Sequence, residues 1–297
     1  MTGTWSRQML ELAGRSKRHL QGRAELVGDF ALARMNPDGG FRGRSAASDL
    51  YYTAFGVDCV LAMGRTPPAE RLAEYLRGFG DGEGLDLIHL AALARCLSRL
   101  PGRGADAGPP ESICRRIESF RRADGGYATS VSPRHGSAYG CFLAASAYQD
   151  VGAEAPRLSE MSGCLEGLKT ADGAYANQPG LVAGTTTATA AAVVLGTPLP
   201  VGSDRAAVEW LLAQHQPEGG FLATPAAPIP DLLSTAAALY ALTAAGEPLD
   251  SVSRPCLDFV ESLWDEQGAF CGSWADPTAD CEYTFHALLA IGCVVHS

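Results

Sequence analysis

The stretch GGFLATPAAPIPDLLSTAAALYAL, residues 219–242, contains the pattern that decides the fold of this chain. A glycine pair is followed by an aromatic residue, then by an irregular segment of about ten residues, and then by an alanine- and leucine-rich segment. That last segment is apolar on nearly all sides, which is typical of a buried helix. Four further copies begin at Gly39-Gly40-Phe41, Gly125-Gly126-Tyr127, Gly173-Ala174-Tyr175 and Gly268-Ala269-Phe270.

The spacing of these copies indicates six repeats. Successive first glycines are 86, 48, 46 and 49 residues apart, and 86 is twice 43, so one repeat has lost its glycines. Amphipathic segments that start with proline or a capping residue lie between the buried ones, as expected for outer helices. We predict outer helices at 20–35, 67–79, 110–122, 157–169, 204–216 and 253–264, and inner helices at 50–63, 86–99, 137–149, 184–195, 232–245 and 281–294.

Twelve alternating helices with apolar inner members favour an all-α fold, a closed α/α toroid whose inner ring surrounds a cavity. An open solenoid would expose the inner helices at its two ends. We expect a single toroid domain over residues 20–297, preceded by an N-terminal arm over residues 1–19. The glycines should supply a turn with positive φ after each outer helix, and the aromatic residues should dock between repeats.

Composition restricts the class of function. The net charge of −10 and the lack of a clustered basic face argue against a nucleic-acid partner. The apolar runs are too short for a transmembrane segment. Nine cysteines without a C-x-x-C pair are typical of free thiols in a reducing compartment, so we expect a cytoplasmic protein.

Aspartates recur where the inner helices begin. Counting from each docked aromatic residue places Asp49, Asp231 and Asp280 there, with His135 and Ala183 at the corresponding places in the third and fourth repeats. Aspartate is a preferred helix N-cap, which accounts for each of them singly. Several caps around one cavity would also form an acidic rim suited to a cation or a general acid. Asp231, Asp280 and Asp49 are therefore our catalytic candidates.

The Gly-Gly-aromatic repeats followed by Asp-x-x-x-Thr helices resemble the toroid of protein prenyltransferase β subunits and of squalene and terpene cyclases. The resemblance covers roughly residues 20–295 and is closest in the last two repeats, including Asp280-Cys281-Glu282-Tyr283-Thr284. It implies a cavity that accommodates an isoprenoid chain. It also implies, from the heterodimeric relatives, a helical partner subunit as a hypothesis.

The zinc and diphosphate sites that the resemblance implies are incomplete. Asp231 matches the first zinc ligand, but Leu233 and Tyr283 stand where the cysteine and histidine ligands are expected, so we expect no metal cofactor. Cys281, Glu282 and His286 lie close in sequence but point in different directions from a helix. The loop 223–230, which should bind diphosphate, has no Arg or Lys.

Other residues at the rim could still contact a substrate. Positive side chains occur in the first and third repeats, and tyrosines begin several inner helices. The substrate-binding candidates are Arg42, Arg44, Arg134, His135, Tyr51, Tyr52, Tyr139, Tyr240 and Tyr283.

The resemblance leaves several activities open. Protonating terpene cyclases need Asp-x-Asp-Asp-Thr-Ala, and the stretches 49–54 and 231–236 keep its first Asp and its Thr-Ala but lack the proton donor. A glycosidase would need two carboxylates across the cavity, drawn from the three catalytic candidates, and usually a cleft lined by Trp. The leading hypothesis is a prenyltransferase β-subunit-like protein that binds a prenyl diphosphate and transfers the prenyl group without the usual zinc. The alternatives are a non-catalytic isoprenoid-binding or scaffold toroid and a cyclase-like enzyme without the usual acid.

Overall fold

The computed structural model describes residues 3–101, 110–198 and 203–295, and these are mostly helical. The inner helices are α3 (Leu50–Ala62), α5 (Leu87–Arg99), α7 (Ala138–Asp150), α9 (Thr186–Gly196), α11 (Leu232–Ala245) and α13 (Cys281–Val294). The outer helices are α2 (Arg23–Ala33), α4 (Ala69–Arg77), α6 (Pro110–Glu118), α8 (Leu158–Glu166), α10 (Arg205–Ala213) and α12 (Asp250–Ser262). Each lies within a few residues of its predicted range.

The inner helices form a closed ring. Each packs against the next along the chain, and α13 packs back against α3, so the first and last repeats are neighbours. The outer helices α2, α4, α6 and α12 pack against α3, α5, α7 and α13 respectively. The predicted all-α toroid is confirmed.

The same hydrogen bond recurs between each glycine-aromatic motif and its inner helix. The backbone N–H of the buried aromatic residue donates to a side chain one turn into the helix, and the acceptor is a threonine hydroxyl in four of five motifs. The pairs are Phe41 and Thr53 (2.9 Å), Tyr175 and Thr189 (3.0 Å), Phe221 and Thr235 (2.9 Å), Phe270 and Thr284 (3.2 Å), and Tyr127 with the Cys141 thiol (3.4 Å). The predicted docking role of the aromatic residues therefore has a defined partner.

The first glycine of the motif permits close packing of neighbouring repeats. Gly268 has φ +93°, and a Cβ placed there would lie 2.4 Å from the carbonyl oxygen of Leu26 in α2. This contact joins the sixth repeat to the first and so belongs to the closure of the ring. A side chain at Gly268 would suffer both the unfavourable φ and the collision.

Short antiparallel strands lie between the outer and inner helices. In the first repeat β1 (Phe41–Arg42) pairs with β2 (Ser48–Asp49), with Phe41 opposite Asp49. In the last repeat β3 (Trp264–Asp265), β4 (Ala269–Ser273) and β5 (Asp276–Ala279) form a three-stranded sheet. The pairing fixes the aromatic residue relative to the residue that caps the inner helix.

A further helix, α1 (Trp5–Leu20), covers the end of the ring where the inner helices terminate. It crosses α13 so closely that a Cβ at Gly292 would lie 1.8 Å from the Leu12 carbonyl oxygen. On the far side of the ring the Trp5 ring stacks on Phe142 of α7, with ring centroids 5.7 Å apart. The Tyr240 hydroxyl of α11 donates to the Trp5 carbonyl at 3.5 Å. Most of the segment that the sequence separated as an arm therefore packs on the inner ring; its residues 1 and 2 lie outside the described ranges, and the domain boundary at residue 20 stays a prediction.

Buried charges hold the beginning of α1 in place. Asp58 of α3 is inaccessible to solvent and pairs with Arg95 and Arg99 of α5, whose Nε atoms each lie 2.7 Å from its carboxylate. Burial acts to raise the pKa of Asp58, but the two guanidinium groups outweigh it and lower that pKa. Arg99 also donates to the Ser6 carbonyl at 2.9 Å, and the Ser6 hydroxyl donates to Asp150.

Candidate functional site

The N-caps of the inner helices gather at the end of the ring opposite α1. The capping side chains are Asp49, Asp86, Ser137, Thr185, Asp231 and Asp280, and each accepts a backbone N–H from the first turn of its helix. The sequence prediction placed His135 and Ala183 at two of these positions, which is wrong. The loops of the third and fourth repeats are two residues longer than that of the first, so the caps are Ser137 and Thr185.

The three catalytic candidates have structural partners. Asp49 accepts the Tyr52 N–H at 3.1 Å, and Asp231 accepts both the N–H and the hydroxyl of Ser234 at 2.8 and 2.7 Å. Asp280 is buried, accepts the Tyr283 N–H at 2.9 Å and pairs with Arg44 at 3.2 Å. These contacts are those of helix caps, and a catalytic role for them stays a prediction.

The residue two positions after each N-cap forms a ring around the space enclosed by the inner helices, which we call the lumen. These residues remain half-buried or exposed although most of their neighbours are buried, and Leu233 retains 36% of its accessibility. The ring consists of Tyr51, Ile88, Tyr139, Thr187, Leu233 and Glu282. We call it the first ring, and Glu282 is its single acidic residue.

One helical turn deeper a second ring is largely apolar. It consists of Phe55, Ala92, Leu143, Ala191, Ala237 and His286. The rings of Phe55 and His286 pack 5.4 Å apart. Burial, with a smaller effect of Arg95, lowers the pKa of His286 to about 3, so the imidazole is neutral at physiological pH.

Glu282 is the lumen residue whose pKa is shifted in the direction that general acid catalysis requires. Its Oε1 accepts the Tyr51 hydroxyl at 2.6 Å, which fixes the carboxyl group. Burial raises the pKa of Glu282 and outweighs the opposing effects of Tyr51 and Arg44, while the charge of Asp280 raises it further. Burial together with the charge of Glu282 also raises the pKa of Tyr139 to about 12, although Tyr139 belongs to α7 on the opposite side of the ring. The charge of Glu282 therefore affects the Tyr139 hydroxyl on the opposite side of the lumen.

The positive residues of the first repeat are engaged at the rim. Arg44 pairs with Asp276 at 2.8 Å and with Asp280 at 3.2 Å, and its guanidinium lies 5.5 Å from the Tyr283 ring centre. The hydrogen bonds to both aspartates raise the pKa of Arg44. Arg42 donates to the Asn36 side chain at 3.3 Å.

The positive residues of the third repeat line a pocket of about 480 Å³ at the rim. It lies between the loops before α7 and α9, and its lining includes Arg134, His135, Tyr139, Asn177 and Gln178. Arg134 and His135 are exposed, and the His135 Nδ1 lies 3.6 Å from Asp124. Tyr139 belongs both to this pocket and to the first ring.

The remaining tyrosine candidates occupy different places. The Tyr52 ring packs edge-on against Tyr51 with centroids 5.6 Å apart, and burial raises the pKa of Tyr52 to about 12. Tyr283 is half-buried beneath Arg44. Tyr240 is buried and bonded to α1, so it belongs to the closed end of the lumen and not to its mouth.

The prenyltransferase zinc ligands have no counterpart in this geometry. Leu233 and Tyr283 offer no donor at the expected positions, and no three His, Cys, Asp or Glu side chains converge anywhere in the described ranges. We therefore derive no step through a zinc ion.

The known proteins that this chain resembles share its toroid fold. The profile of the prenyltransferase alpha-alpha toroid domain matches residues 2–197 and 186–295. The chain belongs to this toroid family. No curated protein matches the sequence significantly.

Solved structures with the same toroid architecture have varied activities. The apo type II terpene cyclase MstE from Scytonema is 14% identical, with 94% of this chain and 97% of the cyclase covered at TM-score 0.61. A wild-type glycosidase is 13% identical, with 94% and 99% covered at TM-score 0.62. A protein from Actinoplanes is 15% identical, with 92% and 97% covered at TM-score 0.61. A variant of MstE was solved with bound geranylgeranyl dihydroxybenzoate, and it matches at 12% identity and TM-score 0.58. At these identities the likeness shows the fold alone.

Among the residues that the structure describes, no helix has the length and apolarity needed to cross a bilayer. The expected cytoplasmic location stays a prediction.

Sequence reasoning missed Glu282 as a member of the site. The comparison of Asp280-Cys281-Glu282-Tyr283-Thr284 with the zinc pattern gives its third residue no role. The usable signal was its place two residues after an N-cap, which is also the place of Leu233 in the preceding repeat. In the Asp-x-Asp-Asp-Thr-Ala pattern that position is the second Asp.

Proposed function

We propose that this protein binds an isoprenoid chain in its lumen and that Glu282 protonates a carbon–carbon double bond of that chain, which starts a cyclisation. The observation that carries the proposal is a carboxyl group with a raised pKa, held by Tyr51 in a lumen lined by aromatic rings. A half-buried carboxyl group whose pKa is raised is suited to general acid catalysis.

The geometry supports each part of the reaction. Tyr51 donates to one oxygen of Glu282, which leaves the other oxygen to carry the acidic proton. Transfer of this proton to an alkene carbon leaves a carbocation, which a second double bond of the chain attacks to close a ring. The rings of Tyr51 and Tyr139, both members of the first ring, can stabilise the positive charge as it moves, as aromatic rings do for cations. Loss of a proton from the last cation completes the reaction.

The transferase hypothesis has weaker support at the rim. Ionisation of a diphosphate is favoured by several cationic contacts, yet Arg44 is neutralised by two aspartates and Arg42 is bonded to Asn36. Glu282 needs no diphosphate leaving group. The helical partner subunit that the resemblance implies stays a prediction.

The test uses deuterium as a tracer of the acid. The purified protein is incubated in D₂O with geranylgeraniol, with geranylgeranyl diphosphate and with squalene, and extracted products are analysed by mass spectrometry. Because a carboxyl proton exchanges with solvent, a cyclised product should carry one carbon-bound deuterium from the initiating step. Glu282→Gln should lower product formation at least about 100-fold while chain binding, measured by protein fluorescence, is retained.

The matched control is Asp29→Asn, at an exposed carboxylate of the outer helix α2, which should leave deuterium incorporation intact. Asp49→Asn and Asp231→Asn test the catalytic candidates: as helix caps they should lower stability by about 1 kcal/mol or less, and loss of product in either variant would give that aspartate a catalytic role. Product formation by Glu282→Gln at the wild-type rate would refute the proposal. Release of pyrophosphate would favour the transferase hypothesis, and binding without any product would favour the non-catalytic one.

A further inference from the structure

The 480 Å³ pocket between the third and fourth repeats is lined by hydrogen-bond donors. The Arg134 guanidinium and the His135 imidazole are contributed by the loop before α7, and the side-chain amides of Asn177 and Gln178 by the loop before α9. The Asn177 oxygen already accepts the Tyr139 N–H at 3.0 Å, which leaves its NH₂ group to donate. A ligand here would meet donors on both sides.

Arg134 is the cation that this mouth leaves available. Across the described ranges it makes no ion pair or hydrogen bond, whereas Arg44 on the other side of the rim is held by Asp276 and Asp280. Asp124, an acidic residue of the same repeat, accepts the N–H groups of Gly126 and Gly136 and lies 3.6 Å from the His135 Nδ1. An exposed guanidinium beside amide donors is suited to a carboxylate, which it can bind in a bidentate manner.

Tyr139 connects the pocket to the lumen. It lines the pocket, and it is also the first-ring residue of α7, which lies opposite α13 and its Glu282 in the ring of inner helices. A molecule anchored beside Arg134 would therefore extend past Tyr139 towards Glu282. The pocket volume lies within the range of small-molecule sites and exceeds what a carboxylate alone requires.

We infer that the substrate is an isoprenoid carboxylate, with its anionic head bound by Arg134 and the neighbouring donors and its prenyl tail in the lumen. This inference rests on the proposed function for the position of the tail. One guanidinium beside neutral hydrogen-bond donors matches a monoanion better than the higher charge of a diphosphate.

The test compares three probes that share one tail. Binding of geranylgeranoic acid, geranylgeraniol and geranylgeranyl diphosphate is measured by titration of protein fluorescence. The wild-type protein should bind the acid about 10-fold or more tightly than the alcohol, as expected for a charge-assisted hydrogen bond. Arg134→Met should abolish this preference and leave the affinity for the alcohol unchanged. Arg254→Met, an exposed arginine on the outer helix α12, serves as the control and should change neither.

The outcomes separate this inference from the proposed function. Equal binding of acid and alcohol by the wild-type protein would overturn it, as would a preference that survives in Arg134→Met. Tighter binding of the diphosphate than of the acid, lost in Arg134→Met, would also overturn it in favour of a diphosphate head. Glu282→Gln should keep the preference for the acid. A wild-type protein that shows this preference but forms no deuterated product would refute the acid chemistry and support the head-group site.

Discussion

Asp58→Asn should be among the most destabilising single substitutions in this protein. Asp58 is inaccessible to solvent, and its carboxylate accepts from Arg95 at 2.7 Å and from two nitrogens of Arg99 at 2.7 and 3.1 Å. The Arg99 side chain is itself only 7% exposed, so it cannot regain water when its partner loses its charge. The same guanidinium bonds the Ser6 carbonyl, and through it the start of α1 is attached to the ring.

The magnitude follows from this burial. Removal of one partner from a buried ion pair typically costs about 3–5 kcal/mol, because the remaining charge is left uncompensated. An exposed pair is worth about 1 kcal/mol or less. The chain offers a matched exposed pair, Arg65 with Asp29 at 2.6 Å, in which Asp29 is 67% exposed. We expect Asp58→Asn to cost at least about 3 kcal/mol and Asp29→Asn less than about 1 kcal/mol.

The assay is urea-induced unfolding followed by far-ultraviolet circular dichroism, with the free energy extrapolated to water for wild type and both variants. Equal effects of the two substitutions, within 1 kcal/mol, would refute the argument from burial. The pH dependence gives a second check. Because its partners lower the pKa of Asp58, its contribution is present above the unfolded pKa and is lost as pH falls through the folded one. Asp58→Asn should therefore lose less stability than wild type on acidification.

Three further predictions concern the site and the repeats. The raised pKa of Glu282 means that its contribution to stability falls as pH rises through the folded pKa, so Glu282→Gln should melt above wild type at pH 8 and approach it below pH 4, as thermal melts would show. Thr235→Val leaves a buried N–H without an acceptor and should cost about 1–3 kcal/mol in urea unfolding, whereas Cys141→Thr restores the residue of the other motifs and should cost less than 1 kcal/mol; equal losses would contradict the assigned hydrogen bond. Gly268→Ala should cost about 2 kcal/mol more than Gly246→Ala in the same assay, since both have positive φ but only the first meets a neighbouring backbone, and equal losses would contradict the closure contact.

The fold was predictable because local patterns and global architecture agree. The inner helices are largely apolar, each begins at a polar cap, and the glycine-aromatic motif marks every repeat but the second. The site was less predictable because it depends on register. The first loop, from Phe41 to Asp49, is two residues shorter than those of the third to sixth repeats, and its use as the standard displaced the predicted caps to His135 and Ala183. Asp280 was predicted at the start of α13, but which of the next residues faces the lumen depends on how the helix is rotated against its neighbours, since successive residues of a helix point about 100° apart. The course of α1 across the ring depends on contacts such as Arg99 with Ser6, which are distant in sequence and leave no periodic signal.

The position of α1 has a consequence for substrate entry and product release. Because α1 covers one end of the ring, a substrate enters and its product leaves through the same opening at the other end. We expect one substrate molecule to bind at a time, and release of the product to precede the next binding event. A polycyclic product is shorter and wider than the extended chain from which it formed. Its release through this opening, rather than the chemical step, would therefore limit the rate of turnover.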